Sequence, residues 1–163
     1  MAFKVGDRVV YPHHGAAIIE RKETREVDGE KKEYLILRVS HGDLTVMVPS
    51  DKVEDVGMRA PISVDDIDDL FQLLGKKDVR EPTNWSRRFK NHQEKLKSGD
   101  VYECAEVVRN LTRREQSGAL STAEKSMHAR ARHILVSELS VSWGIDPEAA
   151  EARIDSVLAP TSA

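Results

Sequence analysis

Cysteine is nearly absent from this chain: Cys104 stands alone, which rules out an internal disulfide and a cysteine-ligated metal site. Long apolar runs are missing too, and none approaches the roughly 20 residues that a membrane-spanning helix needs. The first residues, Met1 to Asp7, lack the apolar core of a secretory signal, so a cytoplasmic, reducing location and no membrane partner are expected. No glycine-rich nucleotide loop and no serine nucleophile elbow occurs. His13 and His14 are the only adjacent histidines, but neighbouring side chains on a strand or turn diverge, and no helical His spacing with a supporting carboxylate follows them. The acidic pairs Asp65/Asp66 and Asp68/Asp69 suit the first turns of a helix. No cofactor, no metal and no catalysis are therefore expected. A small hydrolase built on His13 and His14 is a rival that metal analysis of purified protein would remove.

What is present is a polar chain able to build a core: 39% of its 163 residues are hydrophobic and 33% are charged. The net charge of −3 hides an uneven distribution. Residues 82–133 carry eleven Lys and Arg against six Asp and Glu, a net +5, between acidic flanks of −3 over residues 61–81 and −4 over residues 134–163. Screening limits electrostatic reach to about 8–10 Å, so a local basic block can hold phosphates within an acidic protein. It can equally be an ordinary solvated surface.

The spacing predicts two parts, residues 1–60 and 61–163, in an α+β arrangement with segregated strands and helices. Arg8–Tyr11, Ala16–Val27, Glu33–Val39 and Leu44–Pro49 fit strands, with Asp28-Gly29 as a tight hairpin turn and His41-Gly42-Asp43 as another. A fifth short strand is expected near Val56–Arg59, giving a small barrel or strongly bent sheet. Helices follow. Ser63 is the expected cap of the first, with Val64, Ile67, Leu70, Phe71 and Leu74 as its apolar stripe and Gly75 as its stop. Thr83 is the expected cap of a helix reaching about Ser98, and Asp100 of the next, whose core face holds Val101, Ala105, Val108 and Leu111 and, buried beside them, Cys104. Ser121-Thr122-Ala123-Glu124 is a capping box, and Asp146-Pro147 opens the last helix.

Pro82-Thr83-Asn84-Trp85-Ser86-Arg87-Arg88-Phe89-Lys90 is the most informative stretch. Trp85 falls in the first turn of its helix, where the free backbone N–H groups and the positive dipole favour phosphate. Arg87, Arg88 and Lys90 follow within a turn, and Arg109, Arg113, Arg114, Lys125, Arg130 and Arg132 extend the basic block. An indole projecting among cations can stack on or wedge between bases. It can also pack on Phe89, four residues on, as core. Few side chains suit base-edge readout, so binding through phosphates and DNA shape would be expected.

The sequence resembles the CarD family of actinobacterial transcription regulators across nearly its whole length. The resemblance is carried by Phe3–Ala17, by Gly42–Val46 with Val48-Pro49, by Glu81–Arg88, by Ser98-Gly99-Asp100 and by Ala105–Arg109. The first block is also similar to the polymerase-interacting domain of transcription-repair coupling factors, and the tryptophan-bearing half separates the two. The resemblance implies a Tudor-like or SH3-like β-barrel that binds the β subunit of RNA polymerase by sheet-edge pairing and charged contacts. Arg25 matches a contact residue, and Met47 stands where relatives often carry a basic residue. It implies a helical domain on promoter double-stranded DNA just upstream of the −10 region. There Trp85 would enter the minor groove at the upstream fork of the bubble, and Arg87, Lys90, Arg114 and Lys125 would hold the backbone, stabilising the open complex. The alternative is an adaptor whose β-domain binds polymerase while its helices dock another protein. Nothing in the sequence argues for a stable homodimer, so a monomer is expected.

Overall fold

In the computed structural model, residues 3–12, 14–39, 44–77 and 80–160 are described. The chain divides into two compact units, Met1–Pro61 and Ile62–Ala163. The expected turn at His41-Gly42-Asp43 lies outside the described residues, as does His13.

The first unit is a curled antiparallel meander of four strands among the described residues: β1 (Arg8–Tyr11), β2 (Gly15–Val27), β3 (Glu30–Val39) and β4 (Thr45–Pro49), paired in that order. This half-barrel is Tudor-like, as the family resemblance implies, and with the helices that follow it makes the chain α+β. One face buries Val9, Ala17, Ile19, Leu35, Leu37, Val48 and Met58 against one another. The β2–β3 pairing shifts register between Ile19 and Arg21, a bulge that increases local twist. Beyond the bulge the hairpin continues as a charged ribbon. Asp28 (φ 51) and Gly29 (φ 80) supply the two positive φ angles that its tight turn requires, so β3 starts at Glu30, earlier than the apolar run suggests. The expected fifth strand is reduced to one bridge. Val10 and Arg59 exchange backbone hydrogen bonds of 2.7 and 3.2 Å, while Gly57 at φ 75 breaks the extended run that a strand would need.

The second unit is helical: α1 (Ile67–Gly75), α2 (Trp85–Lys97), α3 (Val101–Ser117), α4 (Thr122–Trp143) and α5 (Pro147–Leu158). Its core joins Leu70 and Leu74 of α1, Val108 and Leu111 of α3, Leu135 and Leu139 of α4, and Ile154 and Leu158 of α5. Full burial of each such side chain contributes about 1.5–3 kcal/mol. Asp100, Ser121 and Asp146 cap α3, α4 and α5 as expected, each accepting from backbone N–H groups of the first turn. Cys104 is buried.

Two helix starts differ from expectation. Val64–Asp66 forms a 3-10 turn before α1, so Val64 falls outside the helical period and is exposed, and Ser63 donates to the Asp66 carboxylate rather than accepting from the backbone. In α2 the cap is Asn84, not Thr83: its Oδ1 accepts from Arg87 N at 3.0 Å. This puts Trp85 at the first helical position.

Candidate nucleic-acid interface

α2 is amphipathic in an unusual way, because the two residues it buries fully are Arg88 and His92. It is anchored through polar groups. His92 Nε2 lies 2.8 Å from Glu81 Oε1 in the segment before the helix. Arg88 Nη2 lies 3.7 Å from Glu124 Oε2, which balances charge without forming a hydrogen bond, and Arg88 Nη1 makes a long 3.4 Å contact to Pro82 O. Arg88 is thus withdrawn from the set of cations that could meet a phosphate.

Glu124 is the centre of this arrangement. Its Oε1 accepts from the Trp85 indole Nε1 at 3.0 Å, from Ser121 N at 3.2 Å and from Ser121 Oγ at 3.1 Å. The residue is buried, 3% exposed. Burial alone would raise its pKa. The Ser121 backbone N–H, the Trp85 and Ser121 side-chain hydrogen bonds and the Arg88 charge outweigh that and hold it below the ordinary carboxylate value. Glu81 follows the same logic: burial opposes ionisation, but the hydrogen bond to His92 and the charges of His92, Arg114 and Arg88 lower it.

The indole is fastened at two points, yet the residue remains 41% exposed. Phe89 meets it edge-on, with ring centroids 4.9 Å apart and planes at 72°. A hydrogen bond to a charged acceptor contributes about 1.5–3 kcal/mol and an aromatic pair about 0.5–1.5 kcal/mol, with solvent access favouring the lower ends. Even there the sum exceeds the rotamer entropy of one aromatic side chain, so the exposed ring is held in a single pose. Trp85 thus packs on Phe89 without being buried.

The cations expected to meet phosphates lie on α2, α3 and α4. Arg87 and Lys90 lie on the exposed side of α2, and Lys125 is exposed in the first turn of α4, next to Glu124. Arg114, in the last turn of α3, is half-buried and near enough to Glu81 for its charge to lower that carboxyl. Among the described residues none of these four cations has a carboxylate within ion-pairing distance, whereas Lys95 is paired to Glu106 at 2.7 Å and Arg132 to Glu151 and Asp155. Arg109 leaves the basic face altogether. It is buried, donates to Leu73 O at 3.0 Å and to Asn110 Oδ1 at 3.0 Å, and burial pushes its pKa down. The Trp85–Glu124 bond joins residues 39 apart, and no local spacing announces it.

In the first unit Arg25 stands on the β2–β3 ribbon, exposed, with Nη2 3.1 Å and Nε 3.3 Å from Glu23 Oε2. Glu23 also accepts from Arg21 Nε at 2.8 Å, and these two side-chain hydrogen bonds lower its carboxyl. The register places Met47 opposite Ile36, Ile36 opposite Arg21 and Lys32 opposite Arg25, so Arg25 and Met47 lie on one face of the sheet. Met47 is 38% exposed there. Among the described residues β1 pairs β2 only along Gly15–Ile18, which leaves the charged stretch of β2 with a free backbone edge.

Residues 3–62 match the family described as the CarD-like/TRCF RID domain, and residues 69–155 match the CarD C-terminal domain. A relative from Bacillus subtilis (strain 168), named "Putative transcription factor YdeB", is 36% identical over 143 residues, which cover 88% of this chain and 94% of that protein. The chain belongs to the CarD family. This is a family of transcription factors, and the N-terminal domain is of the RNA polymerase-interacting type. No helix among the described residues is long and apolar enough to cross a membrane, and no three or more His, Cys, Asp or Glu side chains among them are grouped to hold a metal ion.

Proposed function

We propose that this CarD-family regulator holds the β subunit of RNA polymerase through the free edge of β2 and the face bearing Arg25 and Met47, and stabilises the open promoter with Trp85. The single observation that carries this reading is a tryptophan 41% exposed at the first position of a helix, yet with its indole fixed by a neighbouring helix. The indole's one donor is spent on Glu124, so the ring offers bases its face and edge. Such contact is stacking, tolerant of sequence. Arg87, Lys90, Arg114 and Lys125 would hold backbone phosphates around it, which positions without specifying.

The energetics suit an accessory role. Unstacking a base step costs a few kcal/mol. Polymerase that has melted the duplex has already met that cost, so a ring seated at the upstream fork favours the open form. A ligand shifts an equilibrium only by its differential affinity for the two states, and about 1.4 kcal/mol changes the ratio tenfold. Tethering through the β-unit raises the local concentration of the helical unit, so each half can bind weakly alone. Over-stabilised complexes would escape slowly, so the sign of regulation would vary with the promoter.

The test is the lifetime of open complexes on one promoter with native protein and with Trp85→Ala. Loss of one stacking contact, about 1–3 kcal/mol, is expected to shorten the lifetime about fivefold or more while polymerase binding persists. Equal lifetimes would instead favour an adaptor whose helices bind protein.

A further inference from the structure

We propose that Lys76, Lys77, Arg113 and Arg114 line a second phosphate-binding site, a groove between the segment after α1 and the C-terminal half of α3. The groove holds about 300 Å³ and is also lined by Arg109 and Glu81. Among the described residues it thus gathers five cations against one carboxylate. That carboxylate is already engaged, with its Oε1 2.8 Å from His92 Nε2. Arg109 is spent as well, its guanidinium being held by Leu73 O and Asn110 Oδ1. Among the described residues, Lys76, Lys77, Arg113 and Arg114 have no carboxylate within ion-pairing distance.

One further observation bears on the site. The Nε atoms of Arg113 and Arg114 are buried and meet no acceptor. A buried donor left without a partner is destabilising, and a guanidinium that turned toward an anion in the groove would gain an acceptor. A cleft lined by one sign of charge concentrates counter-ions, and guanidinium forks match phosphate oxygens in pairs. Carboxylate ligands would gain less, since a phosphate brings more negative charge and more acceptor oxygens to the same four cations. The phosphate can come from a DNA backbone continuing past Arg114 or from a small oligophosphate. Neither source depends on Trp85 acting as a wedge.

Thermal unfolding of the full chain in sodium pyrophosphate, against sodium chloride of equal ionic strength, tests the site without DNA. Pyrophosphate is expected to raise the native Tm by about 3 °C or more, the size of effect that ligand near ten times its Kd produces. Lys77→Gln with Arg113→Gln should lose that rise. Lys77→Gln alone, at an exposed position, should reduce it in a chain whose fold is undisturbed. Salt titration of duplex DNA binding then separates the sources. A slope lower by about two in the double variant assigns the groove to backbone phosphates. An unchanged slope, with the pyrophosphate effect lost, assigns it to a free oligophosphate. No pyrophosphate-specific rise in the native chain, or a rise that survives both substitutions, overturns the site whatever the slope does.

Discussion

Trp85 Nε1 donates to Glu124 Oε1 at 3.0 Å, so the solvent-facing ring at the start of α2 is pinned to the first turn of α4. One carboxylate closes a capping box, fixes an indole and balances a buried guanidinium. Side-chain and helix-end geometry are coupled here, and the exposed tip inherits the rigidity of two helices.

Glu124→Ala should therefore do more than uncap α4. Loss of the cap costs about 1 kcal/mol, and an unpaired buried Arg88 costs more, though the 3.7 Å separation argues for the lower end of the range for broken buried pairs. A total of about 4 kcal/mol is expected in urea unfolding, together with greater acrylamide access to Trp85 in a Trp143→Phe background. Glu124→Gln keeps an acceptor oxygen and a capping-box side chain, so its indole should stay shielded. Identical quenching in the Ala and native chains would mean that Glu124 does not hold the ring.

Much of this was legible from local patterns. Hairpin turn chemistry, three helix caps and the apolar periods of α1 and α3 follow from spacing, because each is a short-range constraint. Two errors came from neighbours that compete locally. Thr83 and Asn84 can both cap, and only the backbone path decides for Asn84. Val56–Arg59 looks extended until Gly57 adopts a positive φ. The site was only half legible. Arg87 and Arg88 are indistinguishable in sequence, yet α2 turns one to solvent and the other into a buried polar layer. Arg109 looked like another member of the basic face. Its partner Leu73 lies 36 residues away, beyond any periodicity.

That difference between adjacent arginines can be measured. Arg87→Ala is expected to leave stability within about 0.5 kcal/mol, as surface changes do, and to lower the salt dependence of DNA binding by about 0.9 in slope. Lys90→Ala should behave alike. Arg88→Ala should destabilise the fold by about 3 kcal/mol, because it strands the Glu124 charge. Urea unfolding and salt-titrated DNA binding on the same three proteins give both readouts. An unchanged slope for Arg87→Ala and Lys90→Ala would remove them from the phosphate contacts.

For the β-unit, Arg25→Glu is expected to weaken binding to polymerase while leaving isolated DNA binding unchanged. The exposed Arg25–Glu23 pair contributes little to stability, about 0–1 kcal/mol, so unfolding should barely move. The new carboxylate would sit beside Glu23 on the face shared with Met47 and reverse the local charge. Binding of the purified chain to immobilised polymerase checks this. Equal affinity for the native and Arg25→Glu chains would shift the contact away from the ribbon.

Acid should loosen the helical unit through Glu81 and Glu124. Both carboxyls are lowered from an ordinary value of 4.5 in the folded chain. Below the unfolded-state pKa the unfolded chain binds protons that the folded one still refuses, so stability falls as pH drops. The contribution is complete above about pH 4.5 and disappears as pH passes down through the lowered folded values. Removing one of the two titrating groups must flatten that fall. Urea unfolding at about pH 7 and about pH 3.5 should therefore show a larger gap between native and Glu124→Gln chains at neutral pH than in acid. Parallel losses in the two proteins would mean that Glu124 carries no acid-sensitive stability, and that its ties to Trp85, Ser121 and Arg88 do not favour the ionised form.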